Sequence, residues 1–308
     1  MDRLCLFFNL EFIGQVPPES CPVHRYTHIG IVHHGLLPEA GELALAIKKR
    51  YPQPQWWTAT QDTLPRQSKR FGETDLIVTI GGDGTILRGV HIAAPRGIPV
   101  LGVNMGRVGF MSEIDADDAV EGLGWYLDGQ ARMEERSMLR ADLQGRAEPF
   151  DALNDVMIVR GEVLRVIEVE ARIGGVDLAT YRGDGVVVST ATGSTGYSLA
   201  LGGPVMDPAS EDMLLKPIAA HMSQFGGVVV PPTSRLDLKV LSVDRAIFSP
   251  DGFNNTWVHD GQSVRITVSP YKARFLRRRP ASHFWESLSR RLGMRQSALP
   301  RKAQADGE

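Results

Sequence analysis

The sequence predicts an α/β domain followed by an all-β one. Three observations carry this. Apolar strand-like runs alternate with helical segments up to about residue 135, and short β-type runs then follow one another between Gly, Pro and Asp. A glycine-rich turn also follows directly on the apolar run DLIVTI at 75–80. Strand, loop and helix in alternation form a parallel sheet covered by helices. Successive short runs that alternate polar and apolar residues form sheets with one buried face.

The elements follow in order. THIGIVHH (27–34) is the first strand, and Gly35 and Pro38 separate it from a helix over 39–51, where Leu43, Ala46 and Ile47 share a face and the basic end suits a helix carboxyl terminus. DLIVTI is the next strand. The turn at 81–84 feeds a helix over 85–94, IPVLGVN (98–104) is a further strand, and 115–128 is a helix with Val120, Leu123 and Leu127 at core spacing. The β-rich part runs over 136–270. Within it AHMSQFGGVVVPP (220–232) holds too many breakers for a continuous helix. SVRITVSPYKARFLR (263–277) continues the β pattern, and HFWESLSRRLG (283–293) is helical, with Phe284, Trp285, Leu288 and Leu292 on its packing face. The expected division is an extension at 1–28, an α/β nucleotide-binding domain at 29–135, the β-rich domain at 136–270, a returning segment with a closing helix at 271–293, and a flexible tail at 294–308.

Composition narrows the function classes. With 308 residues, 43% hydrophobic and 23% charged, this is an ordinary globular chain, and its net charge of −2 gives no electrostatic case for nucleic acid or an anionic membrane as partner. Its two cysteines, Cys5 and Cys21, make no disulfide framework and suit a reducing, cytoplasmic compartment. The apolar stretch CLFFNLEFI is short and interrupted by Glu11, and no later run reaches transmembrane length.

Chemistry concentrates in two segments. GGDGT (81–85) sets the carboxylate of Asp83 among Gly81, Gly82 and Gly84, ahead of the Thr85 hydroxyl. Glycines let a phosphate approach backbone N–H groups, and the carboxyl end of a strand is where an open α/β sheet holds a nucleotide. On these five residues alone, a tight turn with a solvated aspartate explains the pattern equally well. The second segment is RGDGVVVSTATGSTGYSLALGGP (182–204). Its first half reads as a buried strand, and TGSTGY (192–197) reads as a bend whose hydroxyls either orient a ligand or satisfy the turn itself.

Together with GGDGT, further segments make the chain resemble the ATP-dependent NAD kinase family. NMGRVGFMSE (104–113), LNDV (153–156), DGVVVSTATGSTGYSLALGGP (184–204), DG (251–252) and FWESLSRRLG (284–293) are similar to that family's motifs in order, from about residue 29 to 293. The resemblance implies an NAD kinase-like two-domain fold, with an amino-terminal Rossmann-like parallel sheet and a carboxyl-terminal β-rich domain. It implies transfer of the ATP γ-phosphoryl group to the adenosine-ribose 2′-hydroxyl of NAD, with Mg2+ or another divalent cation. It also implies a homodimer or homotetramer. Asp83 is then the candidate for activating the hydroxyl or placing the metal, and Gly81, Gly82, Gly84 and Thr85 for holding phosphates. Gly84, Asn104, Phe110, Asn154, Asp155, Asp184, Thr192, Ser194, Thr195, Gly196 and Tyr197 are the candidates around NAD. Asn154 and Asp155 are expected on ribose hydroxyls, Thr195–Tyr197 at the adenine end, and Asp184 near the nicotinamide or a subunit contact. Asp251 matches a late family residue without an assigned role.

The chain departs from the family pattern at three positions. Ala191 stands where proline is usual, Gly196 where alanine is usual, and Ala200 where serine is frequent. HMSQFGGVVVPP also lacks the arginine–proline pair frequent in the family. Arg88, Arg107, the run 277–279, Arg290 and Arg291 either meet an anionic ligand or form a solvated surface. His33, His34, His221, His259 and His283 show no zinc spacing, and neither a P-loop nor a GxGxxG fingerprint is present. The competing functions are a related lipid or sugar kinase and an inactive nucleotide-binding regulator.

Overall fold

The computed structural model describes residues 26–64, 70–106, 109–162, 164–220, 227–242 and 245–293. Cys5, Cys21, Arg107, His221 and the tail from 294 lie outside these residues.

The amino-terminal lobe is built from β1 (His28–His33), α1 (Pro38–Arg50), β2 (Gln55–Thr60), β3 (Leu76–Gly81), α2 (Asp83–Ala93), β4 (Pro99–Asn104), β5 (Ile114–Asp115) and α3 (Ala116–Leu127). β3 and β4 are buried at every position, as their unbroken apolar sequence requires of strands covered on both faces. On one face α2 packs through Ile86 and Val90 onto Ile77 and Val100; on the other, α1 and α3 pack through Ala44, Ile47 and Leu123 onto Ile29, Val78 and Leu101. The strands run parallel in the order β2-β1-β3-β4. The chain therefore reverses its direction of travel between β1 and β3, and loops at the carboxyl ends of those two strands border the crevice in which doubly wound sheets bind ligands. GGDGT is one of them.

Residues 26–28, expected in the extension, belong to this lobe. Tyr26 is buried, Thr27 donates its amide and hydroxyl to Asp75, and His28 opens β1. β2 lies between the helix expected over 39–51 and DLIVTI, where the sequence reading places no element.

The β-rich part comprises β6 (Arg132–Leu143), β7 (Phe150–Ala152), β8 (Asp155–Arg160), β9 (Ile167–Ile173), β10 (Val176–Gly183), β11 (Gly185–Ser189), β12 (Met213–Ile218), β13 (Val228–Val230), β14 (Leu236–Val240), β15 (Ala246–Pro250) and β16 (Thr256–Val258). The one-turn helix α4 (Tyr197–Ala200) follows β11. β13-β12-β11-β8-β15-β16 form an antiparallel six-stranded sheet. Its inner face, with Val156, Ile158, Val186 and Phe248, shares a core with Val169, Leu238 and Ile266 of the facing strands.

The last strand, β17 (Ser263–Arg277), runs through both parts. Its first residues pair with β14, Arg274 and Phe275 pair in parallel with β4, and β6 lines its other edge at both ends. The expected returning segment is the second half of this strand, so the amino-terminal sheet continues into the β-rich part as one eleven-stranded sheet. α5 (His283–Arg291) follows and buries Leu288.

Candidate active site

Asp83 is the first residue of α2 rather than part of the loop before it, and Gly82 is the N-cap. Its Oδ2 accepts the N–H of Phe110 at 3.3 Å, while Oδ1 is buried with no hydrogen-bond partner among the described residues. Burial raises its pKa above the ordinary carboxylate range, against the lowering effect of the Phe110 and Met111 amides and of Arg291 and Arg277. Gly109 presses on it: a Cβ there would lie 1.9 Å from Oδ1. Only glycine leaves this carboxylate its position.

The remaining members of GGDGT divide into two kinds. At Gly82 and Gly84 both residues are exposed and a Cβ would meet nothing within 4 Å, so the space ahead of the helix start is open. The first amides of α2 have no carbonyl behind them inside the helix and point toward that space. Gly81 and Thr85, expected on phosphate, are both buried. A Cβ on Gly81 would come within 2.4 Å of Thr85 Oγ1, so glycine is required there. Thr85 donates its hydroxyl to Gln61 Oε1 at 3.1 Å and its amide to Gly82 O at 2.9 Å.

LNDV and the bend after β11 are tied together. Thr190 donates its hydroxyl to Leu153 O at 2.6 Å and its amide to Asn154 O at 2.9 Å, and a Cβ on Gly193 would lie 1.9 Å from Asn154 O. Asp251 fixes the turn from beneath. With φ at +49°, it accepts the N–H groups of Leu153 (2.7 Å), Asn154 (2.7 Å) and Asp155 (3.0 Å), and His91 Nε2 of α2 lies 2.7 Å from Oδ2. This gives Asp251 its role: it positions the Asn154–Asp155 turn and links it to the Asp83 helix. Asp155 is buried, and burial followed by the charge of Asp251 pushes its pKa up to about 7. Thr190 and His91 went unread in the sequence. The only signal for His91 was its spacing from Thr85 and Arg88, three residues per step on one helix face.

Asn104, Ser194, Thr192 and Thr195 all hydrogen-bond within the protein. Asn104 is buried and donates to Gly106 O at 2.8 Å, closing its own turn. Ser194 donates to Ala191 O and accepts the amide of Met206. Thr192 is buried, and Arg136 Nη1 donates to its hydroxyl at 3.5 Å. Thr195 donates to Thr192 O at 3.0 Å. Gly196 is exposed, and a Cβ would lie 3.2 Å from Gly193 O, so the methyl usual in the family would be tight here. Phe110 carries the Arg291 guanidinium 4.0 Å over its ring and touches Phe284, which seats α5 beside Asp83. Asp184 and the half-exposed Tyr197 line a different pocket, of about 390 Å³, with Arg160, which pairs with Asp184 at 3.0 Å.

Models of the ATP-NAD kinase N-terminal and C-terminal domains match residues 39–131 and 153–278. NAD kinase of Dehalococcoides mccartyi is 40% identical over 273 residues, covering 87% of this chain and 96% of its own, and that of Chloroflexus aurantiacus is 38% identical over 229 residues, covering 73% and 83%. The chain belongs to the NAD kinase family. A solved NAD kinase from Archaeoglobus fulgidus in complex with ATP aligns with a TM-score of 0.70 at 25% identity, over 85% of this chain and 97% of that one. Yeast NADH kinase complexed with NADH aligns at 0.79 over 91% of both chains, and at 23% identity it speaks for the fold alone. As an NAD kinase the chain phosphorylates NAD, and nothing in these matches supports a lipid or sugar acceptor. In NAD kinase terms, GGDGT, Gly109–Phe110, LNDV and the bend at 190–196 form a connected set of segments, while Asp184 and Tyr197 line a separate pocket.

Proposed function

We propose that this NAD kinase moves the γ-phosphoryl group of ATP onto the 2′-hydroxyl of the adenosine ribose of NAD, with Asp83 accepting the hydroxyl proton. The observation that carries this is the buried, unpartnered Oδ1 of Asp83, a residue flanked in sequence by Gly82 and Gly84, where a Cβ would meet open space. Burial raises its basicity, which suits a group that must take a proton near neutral pH. The O2′–Pγ bond forms, the bond from Pγ to the bridging oxygen of ADP breaks, and the proton passes to Asp83 Oδ1.

Among the described residues no three metal-ligating side chains converge. The alternative role for the unpartnered Oδ1, exclusive of proton acceptance, would be one position on a magnesium ion carried by the triphosphate, since magnesium is commonly held by one or two carboxylates with substrate phosphates and water. When bound it would neutralise charge on the transferring group. The amides at the start of α2 hold phosphate, Asn154 and Asp155 meet ribose hydroxyls, and Thr195 and Gly196 border the adenine end.

The separate pocket at Asp184 and Tyr197 supports a subunit contact, and we assign the chain to a homodimer or homotetramer in the cytoplasm. No described helix is long and apolar enough to cross a membrane. Purified protein incubated with NAD, ATP and Mg2+ is expected to form NADP, and EDTA to abolish it. Absence of product across metals and donors would overturn the reading. The same assay with NADH and polyphosphate fixes the substrate range, and sedimentation fixes the oligomer.

A further inference from the structure

We propose that His91 of α2 is a positioning residue that keeps the turn at 153–155 in register with Asp83, and so seats NAD against the reacting carboxylate. The proposal rests on the reading that Asn154 and Asp155 meet ribose hydroxyls of NAD.

His91 acts through Asp251. The Asp251 side chain is fully buried, and four donors converge on its carboxylate. The amides of Asn154 and Asp155 meet Oδ1, while the amide of Leu153 and Nε2 of His91 meet Oδ2, each at 2.7 Å. An ionised carboxylate only accepts and has about four lone-pair sites, so Nε2–H donates here and completes the set. Three of the donors belong to the turn and fix its shape. The fourth belongs to α2 and ties that shape to the helix that begins with Asp83.

The segment that carries Asp251 depends on its neighbours for its conformation. Asp251, Gly252 and Asn254 all have left-handed backbone, with φ at +49°, +73° and +52°. Such residues, glycine aside, persist where the surroundings over-determine them. α2 supplies part of those surroundings from one side, because residues three apart on a helix are neighbours. Arg88 lies 4.4 Å over the Phe253 ring, and His91 meets the same ring edge-on at 5.7 Å. His91 stands about 12 Å along the helix axis from Asp83 at 1.5 Å per residue, and the two move as one body. A shift of the turn against α2 therefore becomes a shift of the ribose against Asp83, and a misplacement of about 1 Å can cost on the order of 10²-fold. The start of α2 has its own anchors, in the Phe110 amide on Asp83 and in Thr85 on Gln61. Loss of the His91 contact therefore falls on the NAD side of the site. The His91 side chain is 24% exposed, so replacing it leaves no closed cavity.

Calorimetric titration of the full-length protein with NAD, together with steady-state kinetics, tests this. His91→Leu keeps bulk against Phe253 and removes the donor. His91→Asn carries an amide that ends near the place of Nδ1, and His91→Gln carries one to the place of Nε2. The Leu and Asn variants should weaken NAD binding and raise the NAD KM about tenfold, with the ATP KM within about twofold, while His91→Gln stays within about threefold of wild type in both. The Asn and Gln pair decides the matter without the Leu variant. Asn154→Ala should itself weaken NAD binding, and adding His91→Leu to it should cost less than about threefold more, since both act on one turn. Unchanged NAD binding in the Leu and Asn variants, equal losses in all three, or equal rises in both KM values would overturn the positioning role and leave His91 as packing on Phe253. In each of those cases a weakened Asn154→Ala keeps the ribose reading standing. Wild-type NAD binding by Asn154→Ala removes the ribose reading, and this inference with it.

Discussion

GGDGT and TGSTGY are both short glycine runs with hydroxyls, yet their glycines do opposite things. At Gly82 and Gly84 the missing Cβ faces open space, so the glycines make room for something that is not protein. At Gly193 the missing Cβ lets the bend lie on Asn154 O, and the hydroxyls of Ser194 and Thr195 turn back to donate to the carbonyls of Ala191 and Thr192. A glycine-rich motif is thus evidence of a ligand only where its Cβ positions are empty. Where they are filled, it is a device for packing two site loops together.

Four experiments press on this contrast, from the largest expected effect. Asp83→Asn keeps an acceptor for the Phe110 amide but removes the proton acceptor, and turnover should fall about 10²–10⁴-fold with the melting temperature unchanged. Because burial raises the Asp83 pKa, activity in the wild type should be lost on acidification at a higher pH than an unperturbed aspartate would give. Full activity in Asp83→Asn would remove the central role assignment.

Gly193→Ala forces a Cβ into backbone 1.9 Å away, and urea denaturation should report a loss of about 2–4 kcal/mol. Unchanged stability would mean that the bend does not rest on LNDV.

Asp155→Asn probes the turn that both motifs serve. The Asp155 pKa is raised in the fold, so its favourable contribution is complete below the unfolded value near 4 and is lost as pH rises to about 7. The variant should therefore gain about 1–3 kcal/mol at pH 8 and nothing at pH 4, read from denaturation at both values. An equal effect at the two pH values would contradict the assignment.

Gly84→Ala gives the smallest effect on the fold. Alanine in the first turn of α2 should hold or raise stability by up to about 1 kcal/mol, while the methyl enters the open space and raises the KM for ATP. A destabilised protein with an unaltered KM would invert the distinction between the two loops.

The parallel strands and their helices were readable because β3 and β4 are apolar without interruption and α1 and α3 carry core residues at helical spacing. β2 escaped because Pro52 and Pro54 precede it and its buried face is only Trp57 and Ala59. The run of β17 through both parts escaped for a different reason: pairing partners are long-range facts, and a strand's composition does not name its neighbours. At the site, Asp83 and LNDV could be singled out by sequence. That Thr85, Asn104 and Ser194 turn their polar groups inward could not, because a hydroxyl or amide serves a turn and a ligand with the same atoms.

β17 makes the two halves of the enzyme mechanically and thermally one body. Its pairing with β6 shifts register between Val268 and Lys272, around Pro270, and Ser269 anchors that bend by donating to Asp151 at 2.7 Å. Melting the β-rich half strips a neighbour from β4, and melting the amino-terminal half frees the far end of the same strand. Scanning calorimetry should consequently record a single heat-absorption peak, with the cleft never present in a half-unfolded protein.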